Sequence, residues 1–100
     1  MTYRVVYSGP FQRDLECHVD YLLGSSVSIE TIEAWYSRLY SRLEGLEVWP
    51  RLYPVDERYS EMVGHEVRKI NFGDYLMFYC VEESARRVIL LAFYHGARQR

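Results

Sequence analysis

His95 is the side chain whose type best suits proton transfer. An unperturbed imidazole titrates near ~6.5, so it can act as acid or base at neutral pH. Arg68 and Arg98 carry planar guanidinium forks that fit phosphate or carboxylate. Each also has an ordinary structural role. A histidine closing a strand hydrogen-bonds backbone or packs on the following turn, here Gly96. An arginine inside a strand pairs with Glu66 or Glu82 on a neighbouring strand. Arg98 and Arg100 fit solvated terminal charges. Lys69 follows Arg68 directly, so a strand puts the two on opposite faces and not in one patch.

Other chemistries lack their residues. No CxxC, HExxH, P-loop or GxGxxG occurs in the sequence. His18 and His65 have no carboxylate or cysteine at metal-ligand spacing, so no metal and no cofactor is assigned. Cys17 and Cys80 each lie in an apolar pattern, which predicts two reduced, buried thiols. Twelve basic against fourteen acidic residues leave a net charge of −2. That excludes the cationic field needed for non-specific DNA binding. The charge is uneven, because the first fifty residues hold four basic and seven acidic side chains and the rest hold eight and seven. Lys69 is the single lysine, and the other eleven basic residues are arginine, which suits protein interfaces and equally reflects genome composition.

The elements that must position these groups follow from spacing. Tyr3–Ser8 is β-branched and aromatic and stops at Gly9-Pro10, which predicts a strand. Pro10 opens a helix. Phe11, Leu15, Val19 and Leu22 share one face of it, and Gly24 ends it in the left-handed conformation. Ser28 caps a second helix. In that helix Ile29, Ile32, Tyr36, Leu39, Leu43 and Leu46 step by three and four, the seam of a helix packed against a neighbour. Residues 10–47 therefore predict an αα-hairpin. Trp35, Trp49, Tyr36 and Tyr40 follow helical spacing and suit packing rather than base stacking. Residues 50–64, with Pro50, Pro54 and Gly64, predict an irregular loop.

Three strands follow: His65–Phe72, whose broken alternation suggests a bulge, then Tyr75–Glu82 and Arg87–Tyr94. Gly73-Asp74 is a hairpin turn signal. The last two strands are apolar on both parities, so they belong inside the sheet. The order is β-α-α-β-β-β. It predicts an α+β, two-layer domain over residues 1–100, with an N-terminal strand, an αα-hairpin and a three-stranded antiparallel meander, the hairpin lying on one antiparallel layer. Apolar residues make up 49% and charged residues 26%, as in globular chains. Charges interrupt every apolar run, and the first residues lack a signal-peptide core, so a cytoplasmic chain without membrane contact is expected.

These elements resemble the RelE/ParE superfamily of type II toxins along nearly the whole chain. The resemblance rests on Ser8-Gly9-Pro10-Phe11-Gln12-Arg13-Asp14-Leu15 at the first helix and on Leu46-Glu47-Val48-Trp49-Pro50 closing the hairpin. It continues with Val67-Arg68-Lys69-Ile70, Tyr75-Leu76-Met77-Phe78-Tyr79 and the tail His95-Gly96-Ala97-Arg98. It implies a cognate antitoxin, whose C-terminal segment would cover the helical hairpin and the sheet edge. A ParE-like member would poison DNA gyrase by docking, with no catalytic residues, and Arg98, His95, Arg87 and Arg100 would face the target. A RelE-like member would instead cleave mRNA on the ribosome. It would need an acid, a base and cations around phosphate, drawn from His95, Arg68 and Arg58 with Arg98 and with Glu66 or His65. A third outcome is a non-toxic, antitoxin-binding member. Against the ribonuclease pattern, Leu76 stands where many members carry arginine, Lys69 is the lone lysine, and no tyrosine follows His95.

Overall fold

A computed structural model describes residues 2–96. Strand β1 spans Arg4–Tyr7, helix α1 Gly9–Leu23 and helix α2 Ile29–Glu44, which tightens into a 3-10 turn over Gly45–Glu47. Helix α3 spans Glu57–Val63, followed by strands β2 (Arg68–Phe72), β3 (Tyr75–Glu82) and β4 (Arg87–His95), with a 3-10 turn over Glu83–Ala85. The α+β arrangement is as the sequence implies.

Local chemistry sets the helix ends. Ser8 Oγ accepts the Phe11 amide at 3.2 Å, and Pro10 sits in the first turn of α1, where its missing N–H leaves nothing unbonded. Ser28 Oγ accepts the Thr31 amide at 3.2 Å. Gly24 closes α1 at φ −87°, in the right-handed rather than the expected left-handed conformation. Its amide already reaches the Asp20 carbonyl at 3.1 Å, so no reversal of hand is needed to satisfy the helix end.

The sheet has order β1-β4-β3-β2, so the two doubly apolar strands are the inner ones. β2, β3 and β4 form the antiparallel meander through the turn at Gly73, whose φ is +60°. β1 pairs parallel to β4, Val5 opposite Val88. The layer is therefore mixed rather than wholly antiparallel, because the helical hairpin carries the chain across the sheet before β2 begins. The bulge also lies elsewhere than expected. Phe78 pairs with Ala92 and Tyr79 with Leu90, which leaves Leu91 as the extra residue of β4. The Leu91 carbonyl accepts Ser8 Oγ at 3.2 Å, so one serine caps α1 and ties it to the bulge.

Phe11, Leu15, Trp35, Leu39, Leu43 and Leu46 bury the hairpin against Ile70, Met77, Tyr79, Leu90 and Phe93. The true seam of α2 runs Ile32, Trp35, Leu39, Leu43, with Tyr36 and Ile29 outside it. Trp35 displaces Tyr36 because the helix must face both the sheet and α1. On α1, His18 takes the core position and Val19 and Leu22 are only partly buried. Two further expectations fail at the surface. Trp49 is 66% exposed on the turn beyond α2, since Leu46 already fills the core there. Cys17 is exposed and Cys80 half-buried, because the inward face of α1 runs through residues 11, 15 and 18.

The segment expected to be a loop contains α3. Asp56 Oδ2 accepts the Tyr59 amide at 2.9 Å, and Gly64 ends the helix at φ +85°. Tyr59 stacks on Phe78 with centroids 4.4 Å apart, on the sheet face away from the hairpin. A seven-residue helix shows no long apolar period, which is why the segment reads as a loop.

Tyr79 links the layers. It is fully buried and donates its hydroxyl to the Pro50 carbonyl at 2.7 Å. Burial pushes the phenol up to about 12, outweighing the pull of Arg68. The fold thus favours the neutral phenol. That stabilisation is complete below pH 10 and is lost as pH rises through about 12. Tyr79→Phe should cost about 1–2 kcal/mol at neutral pH by leaving the carbonyl unbonded. It should also flatten the decline of Tm across that alkaline window, as thermal melts read by circular dichroism would show.

Candidate functional site

β4 ends in an aromatic cluster that holds His95. The imidazole stacks on Tyr75 at 4.9 Å between centroids and lies 5.0 Å from the His18 ring. Tyr75 packs on Phe93 at 5.5 Å and on Trp35 at 5.1 Å. His18 is 1% exposed, and its Nε2 shares a 2.8 Å hydrogen bond with the Tyr75 hydroxyl. Burial, then the Asp74 carboxylate, raises the Tyr75 phenol, which keeps it protonated and able to bond. Two elements touch His95 directly, α1 through His18 and β3 through Tyr75, and Trp35 of α2 packs behind both of those rings.

The outer side of His95 opens into a cavity of about 280 Å³ lined by Asp14, Cys17, Phe93 and Tyr94. Among the described residues the lining offers a carboxylate, a thiol and an imidazole. It could donate and accept protons and hydrogen bonds. Among the described residues no group of histidine, cysteine and carboxylate side chains is arranged to hold a metal ion.

Arg68 and Arg58 lie elsewhere. Arg68 donates to the Tyr53 carbonyl at 2.7 Å and pairs with Glu66 at 3.3 Å, pinning the chain that leads into α3. It sits opposite Tyr79 on β3, whereas His95 sits opposite Tyr75. Four residues along a strand and two strand spacings separate them, roughly 13 Å by 10 Å. Arg58 lies on α3, exposed, beyond the face of the sheet that Tyr59 covers. His65 and Glu66 precede β2, near Arg68 and not His95. The structure thus does not bring His95, Arg68 and Arg58 together.

Arg87 starts β4, and its Nε donates to Glu82 at 2.7 Å. His95 ends the same nine-residue strand, so the two side chains stand roughly 26 Å apart, at opposite ends of the sheet. Arg98 and Arg100 lie outside the described residues. Around Arg87 is a second charged region. Arg51 pairs with Glu83 at 2.8 Å, Tyr3 donates to Glu83 at 2.6 Å, and Arg86 lies over the Tyr3 ring at 5.6 Å. The Tyr3 hydrogen bond and then Arg51 hold the Glu83 carboxyl below its usual range. Arg86 adopts φ +51°, a backbone state uncommon for arginine, at the tight turn that returns the chain to β4.

His18, Tyr75, Asp14 and Cys17 were not read from the sequence as neighbours of His95. A signal for His18 existed, since Phe11, Leu15 and His18 step by four and three. The contacts across the sheet had none, because they depend on strand register. Gly96 fits its position for a steric reason. Its amide donates to the Asp74 carbonyl, and a Cβ there would lie 2.6 Å from that same oxygen. Gly96→Ala should push the end of β4 off the Gly73-Asp74 turn and cost about 1–3 kcal/mol. A lowered Tm together with displaced His95 and Tyr75 ring resonances in NMR spectra would register it.

No match to a curated protein was found. Residues 5–100 match the family model described as the ParE toxin of the type II toxin-antitoxin system, parDE. The match begins in β1 and runs through the hairpin, the meander and the His95 cluster. The chain belongs to the ParE toxin family of type II toxin-antitoxin systems.

Proposed function

We propose that this toxin arrests growth by docking on DNA gyrase, without cleaving RNA, and that a cognate antitoxin holds it inactive in the cytoplasm. The 1–100 chain acts in this reading as one toxin domain, serving plasmid stabilisation. The observation that carries the reading is the separation of His95 from Arg68 and Arg58, with Arg68 already bonded to Tyr53 and Glu66. In-line cleavage of a phosphodiester needs a proton-transfer group and cations within one substrate's reach. A docking toxin needs only a rigid, exposed surface.

The target-facing surface in this proposal is the His95 end of β4, from which Arg98 and Arg100 continue the sequence. The stacked Tyr75, Phe93 and Trp35 make that end rigid, which suits an interface because little side-chain freedom is lost on binding. Arg87, held by Glu82 at the far end of the strand, belongs to a separate contact in this reading. No helix among the described residues is long and apolar enough to cross a membrane.

Expression alone should inhibit growth, and co-expression of the neighbouring small reading frame should restore it. Purified protein should block gyrase-catalysed supercoiling and leave mRNA intact in a translating ribosome system. His95→Ala should weaken gyrase inhibition about fivefold or more, as expected for an anchored interface residue. Codon-positioned mRNA cleavage that disappears in His95→Ala or Arg68→Ala would overturn the docking reading in favour of a ribonuclease. Normal growth at verified soluble expression would point to a non-toxic antitoxin-binding member.

A further inference from the structure

The inward face of α1 presents Phe11, Leu15 and then His18. A leucine at the third position would fill the core with no polar group to satisfy, whereas a buried imidazole costs stability unless it is hydrogen-bonded. His18 is 1% exposed, and its Nε2 shares the 2.8 Å hydrogen bond with the hydroxyl of Tyr75, a residue of another element 57 positions away. A leucine and a phenylalanine could occupy the same two places at nearly equal stability. Packing therefore does not account for the polar pair.

The rings show what the pair holds in place. His18, Tyr75 and His95 close a triangle, with centroids 5.0 Å apart for His18–Tyr75, 5.0 Å for His18–His95 and 4.9 Å for Tyr75–His95. His18 meets Tyr75 edge-on at 73°, and Tyr75 stacks on His95 at 26°. His95 is half-buried, with two rings against it and the cavity of Asp14 and Cys17 beside it. Apolar contact lets a ring slide or tilt at small cost, whereas a hydrogen bond has a direction. The bond at its hydroxyl fixes the far end of the Tyr75 ring, and the Tyr75 plane then sets the plane of the imidazole. The backbone beneath is pinned separately, because Tyr75 lies opposite His95 in the ladder and the Gly96 amide donates to the Asp74 carbonyl.

We propose that His18 is the positioning residue of His95: acting through the Tyr75 hydroxyl, it holds the imidazole in the one orientation in which it meets the target. The part His95 plays at the target rests on the reading above. The positioning rests on the three rings alone. A side chain ordered before contact loses little freedom at the interface. One that holds the competent orientation for only a fraction of the time binds more weakly by that fraction.

The test uses the full chain, NMR spectra of the imidazole protons and the gyrase supercoiling assay. His18→Leu and Tyr75→Phe each break the bond and leave a side chain in its place. In both, the shift that the Tyr75 ring imposes on the His95 resonances should drop to about one-fifth, and gyrase inhibition should weaken about fivefold in step. His18→Gln, whose side-chain amide nitrogen stands where Nε2 does, should restore both. In a His95→Ala background, His18→Leu should cause no further loss of inhibition. The double variant His18→Leu, Tyr75→Phe should melt as wild type does and show the same displaced resonances, which covers the case of a single variant that fails to fold. Unmoved His95 resonances in a folded His18→Leu overturn the proposal. So does a loss of inhibition that adds to that of His95→Ala, or a Tm that falls in His18→Gln and in the double variant alike, since either makes His18 a residue of the fold alone. Displaced resonances with inhibition untouched in His18→Leu and in His95→Ala support the positioning and overturn the reading that puts His95 on the target.

Discussion

The central position of β4 is the constraint on which the molecule depends. It is hydrogen-bonded on one side to β3 and, over its first four residues, on the other side to β1, and both of its faces are covered in part. Val88, Leu90 and Phe93 from this strand lie under the hairpin, and each fully buried side chain of this kind contributes about 1.5–3 kcal/mol. The bulge at Leu91 changes which residues face the helices partway along, so that Leu90 and Phe93, three apart, share a face. Without that extra residue strict alternation would turn Phe93 and His95 away from α1. The His95 cluster exists because the strand slips by one residue and Ser8 bonds the carbonyl that the slip leaves over.

The same strand separates the molecule's two charged ends. At its start the cations Arg51, Arg86 and Arg87 are engaged by Glu82, Glu83 and the Tyr3 ring. At its end an imidazole stands among aromatic rings, next to a carboxylate and a thiol. A docking protein can use them apart, because contacts spread along a rigid scaffold act on a large partner together. The helical hairpin, with seven carboxylates against three arginines over residues 9–47, gives a third surface, distinct in sign from the arginine end.

Much of this was legible in the sequence for a physical reason. Helical seams and doubly apolar strands report burial directly, so β3 and β4 could be placed inside the sheet from their parity alone. What could not be read depended on pairing. The parallel β1–β4 ladder and the meeting of His18 with Tyr75 and His95 each join residues more than fifty positions apart, and the bulge at Leu91 depends on how β3 and β4 align. Local composition carries no information about register. Tyr36 shows a different limit. Residues 35 and 36 are adjacent aromatics on one helix, and the sequence alone does not say which of them faces the sheet.

That ambiguity bears on how the hairpin works. Trp35 turns inward and braces Tyr75, while Tyr36 turns outward and is exposed. One turn of α2 therefore supports the His95 end of the sheet from within and presents a tyrosine from without. A ligand pressing on Tyr36 acts on the same helix segment that sets the Trp35 ring against Tyr75. The two surfaces share a rigid element without sharing a side chain, so occupation of the outer face can alter the inner cluster only by shifting α2 as a body against β3. Packed interiors resist small shifts of that kind.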